Sequence, residues 1–131
     1  MEKKMYSFYI DRKLPSLNEY TRLNRTNYRA GNRMKGECQS YIRGCIYYKL
    51  KKLQIENPVI IHTTWIEDNK RRDLDNIRFA IKFILDALVE TGVLKNDSQK
   101  YVKGFTDKFE YKKTAGVFVE IEEIEEKEEK K

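Results

Sequence analysis

The sequence predicts an α+β domain: a small mixed β-sheet of about four strands, with two main helices packed on one face. Three observations carry that expectation. Four short runs rich in β-branched and aromatic residues punctuate the chain. Two stretches between them repeat their apolar residues at helical spacing. The resulting order of β, helix, β, helix, β, β is that of helices segregated to one side of a sheet. At 131 residues there is room for one domain with a modest core, placed at 1–124. Residues 125–131 contain only Glu and Lys, a charged tail expected to be frayed helix or disordered.

The elements follow in chain order. Tyr6 to Ile10 is a short aromatic and β-branched run that reads as a first strand. Asp11 to Asn32 holds Pro15, Gly31 and four Asn without periodicity, and reads as a long loop; its Arg22, Arg25 and Arg29 lie among Tyr20 and Tyr28 as a DNA-contacting arm. A solvated loop is the competing reading. Arg33 to Leu53 carries Met34, Cys38, Tyr41, Ile42, Cys45 and Tyr48 on a helical stripe. Pro58 to Ile66 is β-branched and bounded by Asn57-Pro58 and Glu67-Asp68-Asn69, hence a strand. Asn76 to Glu90 is a helix with Ile77, Ile81, Ile84, Leu85 and Leu88 inward and Gly92 just past its end. Tyr101 to Tyr111 and Val117 to Ile124 are two more strands, and Lys112 to Gly116 between them suits a hairpin.

Composition narrows the function classes. Hydrophobic residues make up 40% and charged residues 37%, and no apolar run approaches the roughly 20 residues that span a bilayer. The amino terminus lacks the apolar core of a signal peptide, so the expected location is cytoplasmic. Net charge is +6, but Glu120 to Lys131 contains seven Glu and three Lys; the body before it therefore has 24 cations against 14 anions. Such a body attracts polyanions, nucleic acid foremost. Cys38 and Cys45, seven residues apart on one helix, are too distant for a disulfide and are expected reduced. His62, alone in an apolar run, is expected to be packed or at the surface rather than a metal ligand.

The chemistry concentrates between Lys70 and Gln99. Lys70, Arg71 and Arg72 precede Asp73-Leu74-Asp75-Asn76, a basic rim followed by two carboxylates. Hard cations such as Mg²⁺ take one or two carboxylates together with waters and phosphate oxygens. At a helix start, the same acids could instead cap free N–H groups. Seven residues separate Asp75 from Lys82, which on one continuous helix leaves them about 20° apart, with Asp86 on the same stripe. An ordinary Lys82–Asp86 surface pair is the rival. Asp97 follows the turn at Gly92 and would join the other acids only if the strand after it runs beside the strand before the helix; a simple turn Asp competes.

Together these residues resemble the RusA family of Holliday junction resolvases from phages and prophages. The family pattern is met by Arg72-Asp73-Leu74-Asp75-Asn76, Lys82, Asp86-Ala87-Leu88, Gly92 and Asn96-Asp97-Ser98-Gln99, and its early Pro-Ser-x-Asn segment by Pro15-Ser16-Leu17-Asn18. The resemblance implies a Mg²⁺-dependent endonuclease, with Mn²⁺ able to substitute, that resolves four-way DNA junctions by paired symmetric nicks through metal-activated water. It implies a homodimer on branched DNA, with no membrane association and no organic cofactor. By position, Asp73, Asp75 and Asp97 match the metal-binding catalytic acids and Lys82 the catalytic lysine. Asn76 and Asp86 stand beside them, and Lys70, Arg71 and Arg72 face DNA. Two departures stand out. Three more residues separate Asn76 from Lys82 than in much of the family, which makes Arg78 a rival cation, and Asn96 replaces a frequent second Asp. The alternatives are a non-catalytic branched-DNA-binding protein and a less selective Mg²⁺-dependent structure-specific nuclease.

Overall fold

A computed structural model describes residues 4–125, so the charged tail, apart from Glu125, lies outside the described residues. Four strands, β1 (Lys4–Ile10), β2 (Val59–Glu67), β3 (Val102–Tyr111) and β4 (Gly116–Glu123), form one mixed sheet in the order β1-β4-β2-β3. β4 is antiparallel to both β1 and β2, and β3 is parallel to β2. The helices are α1 (Leu17–Thr26), α2 (Tyr28–Leu50), α3 (Leu74–Arg78) and α4 (Ile81–Glu90).

Burial decides the layering. Phe8, Ile10, Ile61, Trp65, Val119 and Ile121 point from the sheet into a core closed by Ile42 and Ile46 of α2 and Phe83, Ile84, Ala87 and Leu88 of α4. The opposite face is polar, with His62 between Thr106 and Glu122. Cys38 is buried in the core, Cys45 is partly buried, and both are free. Burial raises the Cys38 thiol to about 11, which keeps it protonated and unreactive at neutral pH. Among the described residues no helix is long and apolar enough to cross a membrane.

Three expectations are corrected. The predicted loop from Asp11 to Asn32 contains α1 and the start of α2. The Ser16 hydroxyl accepts from Glu19 N, and the Glu19 carboxylate accepts from Ser16 N in return, a capping box that starts α1. Asn27 then caps α2 through Arg29 N. The two helices pack so closely that a Cβ at Gly31 would collide with the Asn24 side chain. Tyr20, the apolar anchor of α1, lies against Phe79 and Phe83.

The predicted helix from Asn76 to Glu90 is broken at Phe79 and Ala80. Tight hydrogen bonds carry the chain across: Ala80 N to Ile77 O, Lys82 N to Phe79 O and Phe83 N to Ala80 O. The break lets Phe79 reach the Tyr20 and Phe83 rings. It also places Asp75 and Lys82 on two separate helices, so they no longer lie on one continuous helix.

Lys112 to Gly116 is not a hairpin, because β4 crosses over the end of β2 and pairs on its far side. The physical reason is burial. Val117, Val119 and Ile121 need neighbours on both sides, whereas β3 is mostly exposed and suits an edge.

Candidate functional site

At the carboxyl end of β2, buried Glu67 receives Arg72 in a two-pronged pair, Nε to Oε1 at 2.9 Å and Nη2 to Oε2 at 2.7 Å. The side chains are only 4% and 15% exposed. Arg72 Nη1 also donates to the Leu14 carbonyl at 2.9 Å and to Glu19 at 3.4 Å, joining the loop to the cap of α1. Lys13 closes the network on Asp68 at 2.8 Å, and this hydrogen bond holds the Asp68 carboxyl below its usual 3.8. The loop from Asp68 to Asp73 is thus braced from below. Arg72, expected to face DNA, is occupied by this brace.

Asp73 follows directly. It stands at the N-cap of α3 in an extended conformation (φ −69°, ψ 153°), yet its side chain makes no cap hydrogen bond. The capping explanation for this Asp therefore fails. Asp75 lies in the first turn of α3. Asp73 and Asp75 are exposed, and their carboxylates have no hydrogen-bond or ion-pair partner among the described residues. Lys82, on α4, is exposed and equally free. Arg22, Arg25 and Arg29 also keep side chains without a partner among the described residues, Arg71 is exposed with its charge near Asp68, and Lys70 rests over the Tyr111 ring at 5.0 Å. Asn76 is half-buried.

Asp86 has a structural partner in place of Lys82. It accepts from Gln39 Nε2 at 3.0 Å and faces Lys35 at 4.0 Å, tying α4 to α2. Arg78, the rival cation, donates from Nε to Asp107 Oδ2 at 2.6 Å. Asp107 also accepts from Trp65 Nε1 at 2.8 Å.

Asp97 is placed elsewhere. The strand after it does run beside β2, the condition for Asp97 to join the other acids, but it runs parallel. The segment before β3 therefore sits at the start of β2, as Ile55 N to Val93 O, Val59 N to Tyr101 O and the Lys95–Glu56 pair show. Asp73 and Asp75 follow the other end of β2. Nine residues of strand at about 3.3 Å each separate the two ends by on the order of 25 Å. Asp97 instead borders a cavity of about 260 Å³ with Lys35, Gln39, Asp86 and Glu90. A larger cavity, about 690 Å³, lies between β1 and α2 and contains none of the predicted residues.

Among the described residues no group of three or more His, Cys, Asp or Glu is arranged to hold a metal ion. Asp73 and Asp75 still supply the hard oxygen donors that Mg²⁺ uses, and two carboxylates are enough when water and phosphate oxygens complete its shell. The donor pair fits the ion; Asp97 of the same chain does not join it.

Glu67, Asp107 and Glu19 were missed as site residues. Glu67 had only one signal, an acid directly following an apolar strand, and Glu19 had the Ser16-x-x-Glu19 spacing. Asp107 had none, because its partners are remote in sequence. A family model described as Endodeoxyribonuclease RusA matches residues 2–122. No curated protein matches the chain.

Proposed function

The chain belongs to the RusA family of endodeoxyribonucleases, and from that membership we propose that it resolves four-way DNA junctions by Mg²⁺-dependent hydrolysis, with paired nicks on opposed strands. The observation that carries this reading is the pair Asp73 and Asp75, two exposed carboxylates without partners among the described residues, one ending the loop that Glu67 and Arg72 brace and the other in the first turn of the helix it feeds. Rigid support beneath free ligating groups is what a preorganised site requires.

Asp73 and Asp75 would hold the ion, with Asp97 as the third acid. A bound Mg²⁺ supplies an acidified water and neutralises charge that develops on the phosphate. The carboxylates fix its place, and the exposed cations Arg71, Lys70 and Lys82 draw the DNA backbone towards them. Asp97 lies too far from the pair within one chain, so a second copy is its source. A homodimer also matches the two-fold symmetry of a four-way junction, which needs two nicks from one kind of active site.

A labelled synthetic four-way junction and its linear duplex control, each with and without Mg²⁺, test the reading. Paired nicks in the junction only with Mg²⁺ are the expected result. Binding without nicking would leave a branched-DNA binder, and equal nicking of the linear duplex would leave an unselective nuclease. A monomer in sedimentation at micromolar concentration would remove the dimer.

A further inference from the structure

Arg78 lies three residues after Asp75 on α3, so the two side chains share a helix face, with Cβ atoms about 5–6 Å apart. Lys82, by contrast, lies beyond the break, on α4. Asp107 on β3 takes Arg78 Nε on one oxygen and Trp65 Nε1 on the other. Trp65 is the chain's one tryptophan, is 1% exposed and is fixed in the core, so it locks the carboxylate in place. The Phe105 ring lies beneath the guanidinium, 5.5 Å from its carbon. The Arg78 side chain is 40% exposed, and its two terminal nitrogens have no hydrogen-bond partner among the described residues. An arginine held through Nε keeps its outer edge, Nη1 and Nη2, as a planar fork that matches two phosphate oxygens.

We propose that Asp107 is a positioning residue which, locked by Trp65, aims the outer edge of Arg78 at a DNA phosphate beside Asp75. This deepens the nuclease reading and rests on it. Arg78 binds the phosphate and thereby fixes the backbone next to the acids, while Asp107 keeps the fork from swinging into solvent when DNA is absent. The contact is electrostatic and directional, so its loss weakens both the salt dependence of binding and the rate of cleavage.

The test uses the full chain and a four-way junction. Affinity is measured without divalent metal over a range of KCl, and kcat and KM are measured with Mg²⁺. Arg78→Gln is expected to lower the slope of log affinity against log salt by about one and the cleavage rate by about 100-fold. Arg78→Lys keeps the charge without the fork, so the slope is retained and the rate falls about 10-fold. Asp107→Asn keeps the slope and lowers kcat about 10-fold, with KM little changed. Far-ultraviolet circular dichroism reports the fold of each variant, and Arg78→Lys carries the test if Arg78→Gln unfolds. The proposal is overturned if Arg78→Gln or Arg78→Lys cuts at the wild-type rate, or if the Arg78 and Asp107 variants change only the melting temperature. The last result would make the pair a brace between α3 and β3. A wild-type chain that neither binds nor cuts the junction would remove the nuclease reading itself, an outcome distinct from normal cutting by both wild type and Arg78→Gln.

Discussion

Glu67 and Arg72 lie within eight residues of Asp75, yet the charges of these neighbours have opposite environments. The first two are buried against each other in a two-pronged pair, with Leu14, Glu19, Lys13 and Asp68 around them. Asp73 and Asp75 face solvent without partners among the described residues. The difference separates what makes the loop from what the loop presents. A charge taken out of water must be paired, and removing one member of such a pair strands the other. A solvated carboxylate has no such obligation and is available to a cation.

The largest expected effect tests the open side. Asp75→Asn should reduce junction cleavage by about 10⁴-fold, roughly 5 kcal/mol of transition-state stabilisation, while junction binding and melting temperature stay near wild type. A large drop in melting temperature would place Asp75 in the brace and erase the contrast. On the braced side, Arg72→Ala should lower the unfolding free energy by about 3–5 kcal/mol in urea titration, because Glu67 is left charged and buried. Replacing both members, Glu67→Leu with Arg72→Met, should recover most of that loss; failure to recover would mean the pair contributes more than mutual neutralisation.

Gly44 calibrates both numbers from outside either region. It lies inside α2, and a Cβ there would meet nothing within 4 Å. Gly44→Ala should therefore stabilise the fold by up to about 1 kcal/mol without changing cleavage. A destabilised variant would show that the groove beside α2 needs to stay open for folding.

The smallest effect concerns the outer edge of the brace. The Lys13 hydrogen bond holds Asp68 below 3.8 in the folded state, so as pH falls the unfolded chain takes up this proton first. The contribution is fully present above the unfolded value and disappears as pH drops through the lower folded value. Melting temperatures of wild type and Asp68→Asn should thus differ slightly at pH 6 and converge in acid. A gap that does not narrow as the pH falls would assign the difference to something other than ionisation.

Much of this was legible along the chain. The four strands and the paired acids with their basic flank could be read from β-branched runs, turn residues and spacing, since those signals are local. The capping box from Ser16 to Glu19 was equally local, but arginines and asparagines around it masked the weak apolar side of α1, which buries no residue fully. The break at Phe79 and Ala80 was hidden because Ile77, Ile81 and Ile84 keep helical spacing through it. The strand neighbours were misread for another reason. A short polar linker suits a hairpin, and only the shared need of Val117, Val119 and Ile121 for burial sends β4 between β1 and β2.

By itself the sequence determined the α+β class, the positions of the strands, and the presence of Asp73 and Asp75 at the head of a helix in a basic chain. These follow from periodicity and residue type over a few positions. The tertiary structure alone decided which charges pair and which stay free. Glu67 with Arg72, Asp107 with Trp65 and Arg78, and Asp86 with Gln39 join different elements, and their partners are chosen by how the sheet and helices pack. It also decided that Asp97, close to Asp75 in sequence order, lies at the other end of the sheet, because β3 runs parallel to β2 and its start must return to where β2 begins.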